Sequence, residues 1–152
     1  MKTVEIGRIG EHLSAKYLKK KGYKILERNL HESHNEIDLI VSDRSYIVFV
    51  EVKTRSVRED FYLPYGSPAS AVDRSKQLRT IRAAQTYLAS CKQNKKQPRF
   101  DVVEVYLDKD THKPLKINHI ENAFGMLVTS TVLGALRQFH RSATSTLPST
   151  VA

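Results

Sequence analysis

Three charged residues interrupt the most strand-like stretch of the chain, NEIDLIVSDRSYIVFVEVKTR at residues 35–55. Asp38 lies in its first apolar run, and Glu51 and Lys53 lie at the end of its second. Two carboxylates and an ammonium on one patch can hold a divalent cation, activate water and offset the charge of a phosphorane-like transition state. These residue types therefore indicate phosphodiester hydrolysis, provided that the fold brings the three side chains together.

The turn between the two runs decides whether the acids meet. Side chains alternate along a strand, so Glu51 and Lys53 share a face, about 7 Å apart. With a four-residue turn from Asp43 to Tyr46, facing residue numbers sum to 89 and Asp38 lies opposite Glu51. Carboxylates at this short distance repel each other, and a magnesium ion, which takes oxygen ligands, would stabilise them. A three-residue turn would put Asp38 on the opposite face, and an ordinary ion pair between Lys53 and either acid is the simpler alternative.

A helix is predicted in front of this hairpin, from Thr3 to about Lys21, and Gly22 can take the left-handed conformation that ends it. One face carries apolar residues at helical spacing: Ile6, Ile9, Leu13 and Tyr17. A second row consists of Gly7, Glu11, Ser14 and Leu18. Glu11 thus lies among small and apolar neighbours, away from the lysines that end the helix.

The remaining pattern predicts one mixed sheet flanked by helices. Strands are expected at 23–30, 36–42, 46–53 and 99–107, with a short one near 114–120 and a second helix at 70–91. Leu78, Ile81, Ala84 and Leu88 share the apolar face of that helix, and its other side is basic. The order helix, three strands, helix, strand indicates an α/β fold in which a right-handed crossover makes the third and fourth strands parallel.

The composition of the chain indicates which binding partners and which cellular compartment to expect. The chain has 152 residues, with 25 Lys and Arg against 16 Asp and Glu, a net charge of +9. A polyanion is the first partner to consider, and a merely solubilising surface is the alternative. Cys91 is the single cysteine, which suits a reducing compartment. The longest apolar run, YIVFV, is too short to span a bilayer, so a soluble cytoplasmic protein is expected.

Several segments resemble, in order and spacing, the YraN-type family of small bacterial proteins: GRIGEHLSAKYLKKKGYKILERN, NEIDLI, FVEVKTR, Lys76 and RFDVV. That family is assigned by similarity to the restriction-endonuclease-like fold with the PD-(D/E)xK active site, and it is similar to archaeal Holliday junction resolvases. The resemblance implies a nuclease-like domain at residues 1–126. The following extension, 127–152, is expected to be partly disordered, because SATSTLPSTVA has little to bury.

The resemblance also implies roles for individual residues. Asp38 and Glu51 would be metal ligands, the carbonyl of Val52 a further ligand, and Lys53 the group that positions or activates the attacking water. Glu11 matches the helix glutamate of related nucleases and would bring a third carboxylate, although an ordinary helix-surface acid is the alternative. The implied cofactor is magnesium, for which manganese can substitute.

The implied partner is nucleic acid, with DNA as the expected substrate. Lys76 and Gln77 match the polar position of the second helix and would touch the phosphate backbone, unless they simply form a solvated face. Arg55 and Arg79 complete the predicted nucleic-acid contacts. The predicted function is a metal-dependent nuclease acting on DNA, with branched DNA among the candidates, and the alternative is a non-catalytic nucleic-acid-binding or protein-interaction module. Related resolvases act as dimers, which leaves a homodimer open.

Overall fold

The computed structural model describes residues 3–32, 34–58, 72–91 and 96–125. Its elements are α1 (Thr3–Lys20), β1 (Lys24–Glu32), β2 (Asn35–Ser42), β3 (Tyr46–Val57), α2 (Arg74–Ser90), β4 (Gln97–Asp108) and β5 (Pro114–Phe124). The predicted extension at 127–152 lies outside the described residues. None of the helices in the described part of the chain is long and apolar enough to cross a membrane.

The strands form one five-stranded sheet in the order β1-β2-β3-β4-β5, with β3 at the centre. Antiparallel pairing joins β1 to β2, β2 to β3 and β4 to β5, whereas β3 and β4 are parallel. The predicted mixed sheet and its parallel crossover are therefore confirmed. β5 runs further than predicted, because Phe124 pairs with Phe100 and stacks on its ring at 5.2 Å.

The central strand is buried on both faces, as its sequence predicted. On one face, Ile47 and Phe49 pack in a core with Ala83 and Ala84 of α2. On the other, Val48 and Val50 pack in a second core, to which α1 contributes Ala15 and Leu18. Glu51 and Lys53, which lie in the middle of β3 where its buried part ends, therefore belong to a strand whose position is fixed by two cores.

Helix α1 ends as predicted but contacts the sheet through a row that the apolar pattern did not favour. Gly22 has φ 92, and its N–H donates to the Lys19 carbonyl at 3.0 Å. The buried residues of α1 are Gly10, Ser14, Ala15 and Leu18. The apolar residues predicted to form its core face flank this row and are only partly buried: Ile6, Ile9, Leu13 and Tyr17. Small residues in the deepest row let the helix axis come close to the sheet.

Helix α2 lies against the opposite face of the sheet through Thr80, Ala83 and Ala84. The prediction that Leu78 shares this buried face is wrong, since Leu78 is 49% exposed. It lies about 120° around the helix from Ala84, outside the narrow contact stripe. The predicted basic side is confirmed, because the exposed residues of α2 include Arg74, Arg79 and Arg82.

Candidate active site

The hairpin of β2 and β3 has the register that brings its two acids together. Leu39 faces Val50, and the pairing continues in the same register back to the turn. Extended by one residue, this register puts Asp38 opposite Glu51 on the adjacent strand, as expected for a four-residue turn. Facing side chains of an antiparallel pair lie about 5 Å apart at Cβ.

Asp43 fixes that turn. Its backbone N–H donates to the Tyr46 carbonyl at 3.1 Å. Its carboxylate accepts from the N–H groups of Ser45 and Tyr46, at 2.8 and 2.7 Å, and the Lys96 ammonium donates to its carbonyl at 2.7 Å. Because backbone and side chain of one residue hold the same turn, the alternative three-residue turn is not adopted.

Asp38 lies where the pairing of β2 with β3 stops. Its Oδ2 accepts a hydrogen bond of 2.7 Å from the Val52 N–H, so the carboxylate serves as the partner of that donor. Burial and the neighbouring Glu51 raise the pKa of Asp38 to about 7, although the Val52 N–H and Lys76 act in the opposite direction. A carboxyl whose pKa lies near neutrality is short of compensating positive charge.

Glu51 is buried, at 5% exposure, and forms an ion pair with Lys76 of α2. Burial would lower the pKa of Lys76, but the hydrogen bond and the charge of Glu51 outweigh it and raise that pKa. The sequence suggested a phosphate contact or a solvated face for Lys76, and no local pattern could have revealed this pair. The partners are brought together by the crossover from β3 to α2.

Lys53 follows Glu51 by two residues and is half-buried. Alternation along β3 puts both on the face that carries Phe49, the face covered by α2 further back along the strand. Between them, the Val52 carbonyl points to the same side as the Val52 N–H, toward Asp38. The structure thus brings together Asp38, Glu51, Lys53 and the Val52 carbonyl at one end of the hairpin.

Glu11 reaches this region from α1. The preceding residue, Gly10, lies directly against the Thr54 side chain of β3, and a Cβ at Gly10 would overlap it. This close contact brings the Glu11 charge near enough to Asp38 to act on its pKa. Among residues 3–32, 34–58, 72–91 and 96–125, however, no three Asp, Glu, His or Cys side chains are grouped closely enough to hold an ion together.

The predicted nucleic-acid contacts are spread over α2 and the end of β3. Arg55 and Arg79 are exposed, and Arg79 donates to the Ser75 hydroxyl at 3.2 Å. The side chain of Gln77 donates to the Val72 carbonyl at 2.7 Å. Arg79 therefore faces solvent, whereas Gln77 supports the beginning of its own helix.

A buried polar network surrounds Asp101. Two hydrogen bonds join it to Arg99, at 2.9 and 2.7 Å. Asp101 also accepts from His119 at 2.8 Å and from the Asn122 N–H at 2.9 Å. Burial opposes ionisation, yet these bonds lower the pKa of Asp101. The network lies on the α1 face of the sheet and ties β4 to β5, away from the acid pair.

The donor set at the end of the hairpin fits a hard divalent cation. Two facing carboxylates and a backbone carbonyl are the oxygen ligands that magnesium takes. The raised pKa of Asp38 follows first from burial and then from the negative charge of Glu51. Lys76 supplies part of the positive charge that opposes it.

The sheet, its helices and the order of its elements place the protein in the restriction-endonuclease-like class, and Asp38 with Glu51-Val52-Lys53 matches the PD-(D/E)xK motif. The sequence profile of "Uncharacterised protein family UPF0102" matches residues 10–105. The chain belongs to this family, the YraN-type group of nuclease-like proteins.

Relatives match along nearly their whole length. A UPF0102 protein of Caldanaerobacter subterraneus subsp. tengcongensis is 48% identical over 119 residues, which cover 78% of this chain and 93% of the relative. One of Alkaliphilus oremlandii is 46% identical over 122 residues, covering 79% and 97%. One of Chlorobium phaeobacteroides is 41% identical over 123 residues, covering 79% and 94%.

Proposed function

We propose that this protein is a metal-dependent nuclease that hydrolyses phosphodiester bonds of DNA, with structured or branched DNA among its substrates. The observation that carries the proposal is the proximity of Asp38 and Glu51, whose charge acts on the Asp38 carboxyl, at the point where the buried part of β3 ends, with Lys53 on the same face as Glu51. A buried central strand is rigid, and rigidity is what a catalytic group needs to meet a scissile phosphate in a fixed geometry.

In this proposal Asp38, Glu51 and the Val52 carbonyl would hold one magnesium or manganese ion, and Glu11 of α1 would add a negative charge close to Asp38. The bound ion supplies Lewis-acid activation of water and neutralises charge at the phosphate. Because burial and Glu51 raise the pKa of Asp38 to about 7, an ion bound there would displace the proton that part of the molecules carry at neutral pH. Metal binding and proton release are thereby linked at this residue.

Lys53 contributes a positive charge that does not depend on the ion. Its ammonium orients the attacking water or pairs with a non-bridging phosphate oxygen, where charge develops in the transition state. Arg55, Lys76, Gln77 and Arg79 are the proposed contacts to the DNA backbone. With Glu51 engaged by an ion, the Lys76 ammonium would be available to a phosphate oxygen, which is an anionic partner like the Glu51 carboxylate.

The test is cleavage of linear, single-stranded and branched DNA in the presence of magnesium or manganese. We expect wild type to cleave at least one of these substrates and Lys53→Ala to lose on the order of 10²-fold or more in rate. Lys20→Ala, which removes an exposed charge at the end of α1, is the matched control and should retain the rate. Equal, background-level cleavage by wild type and Lys53→Ala on all three substrates would refute the proposal.

One observation favours a second candidate, a nucleic-acid-binding or protein-interaction module without turnover. Glu51 is already neutralised by Lys76, and the described residues bring no third acid into a common metal-binding group. Such a module binds DNA in a salt-dependent manner that survives Glu51→Ala and needs no metal. A thermal stabilisation by manganese that disappears in Asp38→Ala would speak for the nuclease instead.

A further inference from the structure

The face that carries Glu51 and Lys53 continues as a polar surface across the next two strands. In the parallel pairing of β3 with β4, Lys53 lies directly beside Glu104. In the antiparallel pairing of β4 with β5, Glu104 lies opposite Asn118. Paired residues of neighbouring strands point to the same face, so Lys53, Glu104 and Asn118 form one row across the sheet.

Glu104 is a buried acid that accepts hydrogen bonds from two uncharged groups of the described strands. It is only 4% exposed, and its Oε2 accepts from the Tyr106 hydroxyl and the Asn118 amide, each at 3.2 Å. Both donors are neutral and both bonds are long for a charged acceptor. A buried carboxylate with such partners needs a cation nearby, because its desolvation is otherwise uncompensated.

Lys53 is a cation directly beside Glu104 on the neighbouring strand. The other acids near it already have partners, since Glu51 pairs with Lys76 and Asp38 accepts from the Val52 N–H. Arg55 lies beside Tyr106 and is exposed. Lys53 is half-buried and lies on the neighbouring strand at the level of Glu104, about 4.8 Å away at Cα.

We infer that Glu104 is a positioning residue that holds the Lys53 ammonium, while Tyr106 and Asn118 orient the Glu104 carboxylate. Glu104 pulls the ammonium toward β4, away from Asp38 and Glu51, and so keeps it from neutralising the acids that would hold the ion. The inference concerns the same site and, as regards catalysis, rests on the proposed function. The sequence carried a signal for Glu104, because it interrupts the apolar strand RFDVVEVYL as Glu51 interrupts β3.

The contact itself is tested without any activity, by NMR of lysine ammonium groups in the full-length, metal-free protein. An ammonium held by a carboxylate exchanges its protons slowly and gives a resolved ¹H–¹⁵N signal, which Lys53→Gln assigns by its disappearance. We expect Glu104→Gln to abolish this signal and Glu51→Gln to leave it in place. Glu121→Gln is the matched control, as an exposed acid on the opposite face of β5 that pairs with Lys21.

Two outcomes overturn the inference: no Lys53 signal in wild type, or a signal that Glu104→Gln leaves unchanged. Should Glu104→Gln fail to fold, Tyr106→Phe replaces it. That variant keeps the carboxylate charge but removes one of its two orienting bonds, and the Lys53 signal is expected to broaden. An unchanged signal in folded Tyr106→Phe overturns the inference as well.

Cleavage kinetics supply a separate readout. With a substrate that wild type cleaves, Glu104→Gln should lower kcat on the order of tenfold and leave KM within twofold. A mispositioned ammonium stabilises the transition state less well, whereas substrate binding is little affected. A Glu104→Gln enzyme with wild-type kcat overturns the positioning role. If wild type cleaves nothing, the proposed nuclease function fails, and the NMR result still decides whether Glu104 holds Lys53.

Discussion

At the scale of single residues, Asp38 is the group whose ionisation the fold controls most strongly. Burial and Glu51 raise its pKa from 3.8 to about 7. The folded state therefore binds this proton more tightly than the unfolded chain, and the resulting stabilisation is full below about pH 4 and is lost as the pH rises through 7. We expect Asp38→Asn, whose amide oxygen can still accept from the Val52 N–H, to raise the melting temperature of the metal-free protein by several degrees at about pH 8.

The same comparison at about pH 5 tests the direction in which the stability difference changes with pH. At that pH Asp38 is mostly neutral in the folded protein but mostly ionised in the unfolded chain, so the difference in melting temperature between wild type and Asp38→Asn, followed by circular dichroism in the presence of a chelator, should be clearly smaller than at pH 8. Glu36→Gln, which changes an exposed acid of the same strand, should show no such pH-dependent difference. A constant difference between wild type and Asp38→Asn at both pH values would contradict the raised pKa.

Lys76 is the residue that supplies positive charge to the acid pair in the metal-free protein. Because its ammonium contacts Glu51, a divalent ion at the pair has to compete with it. We expect Lys76→Met to lower the Kd for manganese by about three- to tenfold, since a close positive charge is removed. Isothermal titration calorimetry measures this, and Arg79→Met is the control, because it removes an exposed charge from the same helix. Equal affinities in Lys76→Met and Arg79→Met would leave no role for the specific contact.

At the scale of elements, the sequence predicted the features that depend on residues adjacent along the chain. The end of α1 at Gly22 follows from local turn chemistry, which a sequence displays directly. For the hairpin the sequence left two turn lengths open, and the hydrogen bonds of Asp43 decide between them. The contact face of α1 was predicted less well. An apolar pattern marks residues with large side chains, whereas Gly10 and Ser14 are buried because they lack one. Tertiary approach decides this, and a single sequence does not display it.

The close approach of α1 to β3 leads to a prediction about Gly10. A Cβ added there would overlap the Thr54 side chain, and overpacking of this kind costs about 1 to 3 kcal/mol. We expect this cost to outweigh the gain in helix propensity, about 1 kcal/mol. Gly10→Ala should therefore lower the free energy of unfolding measured in urea. It should also move Glu11 away from Asp38 and weaken any manganese binding.

Gly7 is the matched control on the same helix. Nothing lies within 4 Å of a Cβ built there, so Gly7→Ala should raise the free energy of unfolding by up to about 1 kcal/mol. The two substitutions are chemically identical and differ only in what the new methyl group meets. If both variants were stabilised alike, the close contact between Gly10 and Thr54 would not exist in solution.

At the scale of the whole molecule, the element order alone predicted the mixed sheet, because a strand, a helix and a strand connect in few ways. What the sequence did not reveal are the contacts across the sheet between distant segments. His119 reaches Asp101 from β5, and Lys76 reaches Glu51 through the crossover. Such pairs follow from topology and register together, which become known only when the strands are assembled.

The net charge of +9 is a property of the whole molecule that leads to a testable prediction about where DNA binds. If DNA lies across α2 and the end of β3, Arg79 on the exposed side of α2 contacts a phosphate. Each phosphate contact contributes about 0.9 to the slope of log K against log salt. We expect Arg79→Ala to make this slope shallower by about that amount, as measured by fluorescence anisotropy with a labelled duplex over a series of NaCl concentrations in the presence of a chelator.

A substitution of Arg44 distinguishes the effect of a local phosphate contact from the effect of the total charge on DNA binding. Arg44 is exposed in the turn between β2 and β3, and the part of β3 from Tyr46 to Glu51 spans roughly 17 Å, so the turn lies well away from the acid pair. Arg44→Ala removes the same charge as Arg79→Ala, yet it should leave the slope unchanged, because counterions are released only where phosphates are contacted. Equal changes of slope in the two variants would mean that DNA is attracted by the overall charge and is not directed to the face that presents Asp38 and Glu51.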